Sequence, residues 1–226
     1  MKIRNYLLLL VVSAVLPLPN MAHAQIIPVA NASFEADVVA SGTIDYSNLE
    51  DWTASGDSYY GATNPSPSLG AYQNGSNVAT VAVSGGGLGT LQQTLSSTFQ
   101  ANTVYTLTVA EGNLDGFPSG TSNTYVSLLA GATSVAKSIP VFAPQYSTSS
   151  FMDTSLIFDT STDPSIVGQA ITIQLDCDST SPYQIAADFD NVRLDAVSST
   201  PEPSTYALLL SGMGVLLWVS RRRLIS

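Results

Sequence analysis

The side chains of this 226-residue chain that could do chemistry are its carboxylates and a set of aromatic rings among amides. The usual acid–base partner is missing. The only histidine is His23, in the leading segment, and the only cysteine is Cys177. Histidine-based triads and histidine-ligated zinc are thereby excluded from the mature domain. Cys177 lies between Asp176 and Asp178, whose charges raise the thiol and blunt its reactivity. It reads as a small strand residue, the alternative being one half of an intermolecular disulfide. Asp188 and Asp190 share one face of a strand, and Asp190 has the parity of Val192 and Leu194. On a regular strand it faces the core, where a carboxylate needs backbone amides or a cation. A bulge turning it to solvent is the alternative. Paired carboxylates could serve a glycosidase or lyase, but no pair is singled out by spacing, and the expectation is a domain that is not an enzyme.

The rings are Trp52, Tyr59, Tyr60 and Tyr72, with Asn64, Gln73 and Asn74 close by in sequence. Aromatic faces stack on the carbon face of a sugar while amides take its hydroxyls. Tyr59, Tyr60, Tyr72 and Asn64 are therefore the candidate ligand-binding residues. Most lie in a Gly/Ser/Pro-rich stretch, 53–76, that reads as a long loop. Trp52 is either part of this platform or a core residue, and the core is favoured.

The elements that must position these groups read as strands. Asn77–Val83 alternates, with Ala79, Val81 and Val83 on one face, and Gly85–Gly87 punctuates it. Leu88–Leu95, Thr103–Val109, Tyr125–Leu129, Met152–Phe158, Ile171–Cys177 and Ile185–Val197 follow, separated by Gly, Ser, Asn and Pro. No stretch of the domain sustains helical spacing. The fold class predicted is all-β, a β-sandwich or jelly roll.

The ends are different in kind. Lys2 and Arg4, an apolar run to Leu18 and Ala22-His23-Ala24 make a signal peptide over residues 1–24. The ectodomain spans 25–199. Residues 200–226 carry Pro201-Glu202-Pro203, an apolar run over 206–219 and Arg221-Arg222-Arg223. That run is about 21 Å long as a helix, a marginal transmembrane span, and its arginines hold the C-terminus in the cytoplasm. Five of the seven basic residues lie in these ends. Only Lys137 and Arg193 remain against sixteen carboxylates, a net charge of −14 that excludes nucleic-acid binding.

The tail resembles the PEP-CTERM sorting signal of Gram-negative bacteria, in its order as well as its residues. The resemblance implies an inner-membrane intermediate, processing by an exosortase and release to the cell surface or an exopolysaccharide matrix. Within the domain, Asn31-Ala32-Ser33-Phe34-Glu35, Asp51-Trp52, the strand from Thr103 and Phe189-Asp190-Asn191-Val192 resemble the galactose-binding-like jelly roll of carbohydrate-binding modules. In those modules a calcium ion joins the first Phe-Glu to the acidic end of the last strand, which implies a structural calcium at Glu35 and Asp190. Asn191 departs from the usual second aspartate. The function expected is an exported surface or matrix protein associating with exopolysaccharide through a non-catalytic domain. A purely structural or adhesive protein is the alternative.

Overall fold

A computed structural model describes residues 24–46, 49–56, 58–65, 74–112, 122–142, 151–198 and 209–216. Residues 1–23 of the predicted signal peptide, the Pro-Glu-Pro and the terminal arginines fall outside these residues. Residues His23–Ser199 form one compact unit. Residues 209–216, near the other end, are helical. Among the described residues no helix is long and apolar enough to cross a membrane.

The domain is a sandwich of two antiparallel sheets, as predicted. Its strands are β1 (Gln25–Ile27), β2 (Thr43–Asp45), β3 (Thr53–Gly56), β4 (Ser58–Asn64), β5 (Val78–Val83), β6 (Gly87–Thr98) and β7 (Thr103–Gly112). Next come β8 (Ser122–Ala130), β9 (Thr133–Lys137), β10 (Val141–Phe142), β11 (Met152–Asp159), β12 (Ala170–Ser179) and β13 (Ile185–Ser198). Seven of them form one sheet in the order β11-β7-β13-β5-β4-β2, with β1 also on β13. The other sheet runs β10-β8-β12-β6-β3, with β9 on β8. The core lies between the sheets, filled by Val81, Leu91, Leu107, Val126, Ile173, Leu175, Phe189 and Leu194, all fully buried.

The first part of the segment read as a loop is sheet. Both β3 and β4 lie within it, so Tyr59 and Tyr60 are strand residues. Their parity separates them. Tyr60 packs against the core, whereas Tyr59 is 57% exposed. The signal for β4 was faint because Gly61 interrupts the strand. A side chain at Gly61 would collide with the Asp45 carbonyl on neighbouring β2, so close packing of backbones explains the glycine.

The last strand is bulged. Its register against β7 slips between Asp190 and Arg193, where Asn191 takes a left-handed φ of 50°. Asparagine tolerates that conformation better than branched residues do. The slip reverses parity: Ile185, Ala187 and Phe189 face the core before it, and Val192, Leu194 and Ala196 after it. Asp190 therefore faces away from the core, contrary to the regular-strand reading. It is nevertheless 0% exposed, so the bulge does not turn it to solvent either.

Candidate functional site

A sheet with one wet face shows burial of period two. β7 keeps that period through Tyr105, Leu107 and Val109, then is buried without interruption from Ala110 to Gly112. Every residue of β5 is buried, and so is Ile185–Asp190 on β13. These three stretches are hydrogen-bonded neighbours. At this place the outer face of the seven-stranded sheet is shielded as well as the inner one.

The shielded outer face carries two carboxylates in an apolar surround. Asp188 sits opposite Thr80 on one side and Gly112 on the other. Asp190 sits opposite Ala110. Val78, Ala110 and Phe151 form a small apolar cluster of their own, and the Phe151 ring lies about 3.0 Å from where a Gly112 side chain would begin. Glycine at 112 thus lets an aromatic wall stand beside Asp188. Asp188 is 3% exposed and accepts from Thr80 Oγ1 at 2.5 Å. Thr80 Oγ1 in turn meets Thr63 Oγ1 at 2.6 Å.

The two aspartates have different environments. Asp190 accepts backbone N–H groups on both oxygens, from Asn74 to Oδ2 at 2.8 Å and from Asn191 to Oδ1 at 2.6 Å. Asp188 accepts from the Thr80 hydroxyl, with the apolar cluster of Val78, Ala110 and Phe151 on the same face of the sheet.

Glu35 and Asp190 are brought to one short segment, residues 74–77. Glu35 Oε1 accepts from Ser76 N at 2.6 Å and Asn77 N at 2.5 Å. The Asn77 carboxamide donates to the carbonyls of Phe34 and Asp37, at 3.1 and 2.7 Å. Two carboxylates and two carbonyls are thus tied to one short segment, and oxygen donors are what a hard cation takes, although among the described residues no group of three or more His, Cys, Asp or Glu is placed to hold a metal ion. Donor chemistry of this kind fits calcium. The first loop is closed by Trp52, which is buried, stacks on Phe34 at 5.4 Å and donates from Nε1 to the Asn31 carbonyl at 3.2 Å. Trp52 is core, not platform.

Of the predicted ligand-binding residues, Tyr59 is exposed and pairs edge-on with Tyr46, centroids 6.4 Å apart. Asn64 holds the chain, donating to the Val39 carbonyl at 3.0 Å. Tyr72 lies outside the described residues. Sequence reading missed Thr80, Phe151 and Tyr46 altogether, and also Glu111. The last is fully buried between the sheets and accepts from Thr124 Oγ1 at 2.7 Å. An acid inside an alternating strand was the one available signal for Glu111.

Cys177 is fully buried on β12. Burial first, then the charges of Asp188, Asp178 and Asp176, push its thiol up to about 12. Its neighbours in sequence were the lesser cause. A buried thiol of this kind is not placed to form an intermolecular disulfide. At the far end of the sandwich a cleft of about 600 Å³ opens between Gln25, Ser96, Thr103 and Ser198, and none of its lining side chains is charged.

Residues 25–195 match the profile of the HpiC1-like family, described as HpiC1 cyclase. Residues 199–223 match the PEP-CTERM protein-sorting motif. No curated protein matches the chain. Among solved structures it is similar to the Stig cyclase Fisc from Fischerella sp. TAU bound to (3Z)-3-(1-methyl-2-pyrrolidinylidene)-3H-indole, at 29% identity and a TM-score of 0.67. That alignment covers 79% of this chain and 100% of the cyclase. A cyclase from the same organism bound to 4-(1H-Indol-3-yl)butan-2-one aligns at 28% identity and a TM-score of 0.65, over 78% of this chain and 100% of that one. The arabinofuranosidase MgGH51 shares the fold alone, at 12% identity, a TM-score of 0.55 and coverage of 81% and 28%. These findings correct the expectation of a non-enzymatic domain, because the matching profile and the solved relatives are those of enzymes. The sorting motif marks the protein as exported to the bacterial surface or exterior and processed by an exosortase.

Proposed function

The chain belongs to the HpiC1-like family, and from that premise we propose that it is an exported cyclase whose site is the shielded outer face around Asp188. One observation carries the reading: a carboxyl group 3% exposed, oriented by Thr80 and set beside Val78, Ala110 and Phe151. A largely apolar site with a few convergent polar groups suits an apolar, ring-bearing small molecule. An indole with a pendant alkene is the class proposed, in keeping with the indole ligands of the similar cyclases.

The reaction balances without oxidant or reductant. Asp188 gives a proton to an unsaturated carbon of the substrate. The carbocation so formed is captured by the indole ring, which makes the new ring bond. Loss of a proton from that cation to the carboxylate regenerates the acid, and product and substrate are isomers. Turnover of an alkenyl-indole probe by the full chain tests this. Asp188→Asn is expected to lower turnover by roughly 10²-fold or more with little change in folding, and unchanged turnover would refute the role.

Two further readings rest on separate observations. Exopolysaccharide remains the proposed partner at the exposed Tyr46–Tyr59 pair. Tyr59→Ala should then abolish retardation in a gel containing a neutral glucan, and equal retardation of variant and parent removes the idea. Glu35, Asp190 and the carbonyls of Phe34 and Asp37 would hold a calcium ion, which supplies charge that pins the first loop to the last strand. Calcium should raise the melting temperature over a chelator, and Glu35→Gln should erase the difference. Identical melting in both conditions counts against the ion. The surface to which the protein is sorted is proposed to be that of a Gram-negative bacterium.

A further inference from the structure

Resting on the reading of Asp188 as the acid, we propose that Thr80, backed by Thr63, is a positioning residue that fixes which carboxyl oxygen faces the substrate. The three groups lie on adjacent strands β4, β5 and β13. Thr80 is directly opposite Asp188, and Thr63 is diagonal to Thr80, because Thr63 pairs with Val78. Gly61, which pairs with Thr80, has no side chain. The Thr63 hydroxyl lies 2.6 Å from Thr80 Oγ1.

The direction of the chain follows from proton counting. A hydroxyl has one proton to give. Thr80 gives its proton to Asp188 Oδ1, so the bond between the threonines must be donated by Thr63. Donation from Thr63 polarises Thr80 and strengthens its bond to the carboxyl group. With Oδ1 taken as an acceptor, the acidic proton resides on Oδ2. Thr63 and Thr80 take no part in bond making; they act through Asp188.

A structural role alone would also satisfy a buried carboxylate, so the test must read orientation and rate. In the full chain, the Thr80 hydroxyl proton is expected as a resolved, slowly exchanging NMR signal that disappears in Thr80→Val and weakens in Thr63→Val. With the alkenyl-indole probe, Thr80→Val should lower kcat about tenfold or more with KM nearly unchanged. Thr80→Ser, which keeps the hydroxyl, should restore both signal and kcat. A Thr80→Val enzyme with the parent's kcat, or a serine variant as impaired as the valine one, overturns the proposal. If the valine variant does not fold, Thr63→Val and Thr80→Ser carry the same test, and parent-like kcat in Thr63→Val with its signal unchanged overturns the chain. Failure of the underlying reading is distinguishable, because it shows as Asp188→Asn retaining turnover.

Discussion

At the residue scale, the two carboxyl groups on the outer face are held by different partners. Asp190 is held by two amides, and Asp188 by a hydroxyl among apolar groups. The pair was visible in the sequence as a shared strand face. Its division of labour was not, because Thr80 and Asn74 lie more than a hundred positions away. Cys177 shows the same limit: sequence named its acidic neighbours, while burial is the larger cause. The thiol stays protonated in the folded chain up to about 12, against an ordinary value of 9.0. Its contribution to stability is therefore complete below pH 9 and is lost as the pH rises between those values. Thermal melts should show an alkaline decline that Cys177→Ser flattens, and a thiol reagent should label the folded protein slowly at neutral pH. Rapid labelling without unfolding would contradict this burial.

At the element scale, the bulge in β13 decides what the outer face contains. A regular strand would have put Asp190 with Val192 and Leu194 in the core; the extra residue places Asp188 and Asp190 together outside it. The phase of β5 and β7 was legible, since Val81 and Leu107 repeat with period two. The bulge was not, because Asn191 in a left-handed turn and Asn191 in a strand have the same letter. Asn191→Val should destabilise the domain by about 1–2 kcal/mol, the cost of a branched side chain at positive φ, whereas Asn191→Gly should stay within a few tenths. Denaturant melts read the difference. Equal stability of the valine and glycine variants would mean that the bulge is not the strained feature described. β4 was misread for a related reason: Gly61 looks like a loop residue, yet it marks two strands in close approach.

At the scale of the whole molecule, the sequence announced address and architecture more than activity. The tail 199–223 announced export because a sorting signal is read as a linear string. The all-β layers and the strands β5 to β8 and β11 to β13 followed from short alternating runs, whereas β1 to β4, β9 and β10 did not. The proposed catalytic site did not, since the proposed acid, its hydroxyl partner and the aromatic wall come from β13, β5 and the residue before β11, joined only by folding. Among the described residues the proposed site on the outer face around Asp188 can be set against the uncharged cleft at the other end. The most direct measurement is methyl NMR of the full chain, labelled at alanine, with the alkenyl-indole probe added. The account predicts shifts at Ala82, Ala110 and Ala186 on the outer face, with Ala101 and Ala196 beside the end cleft unmoved. Shifts confined to Ala101 and Ala196 would contradict it.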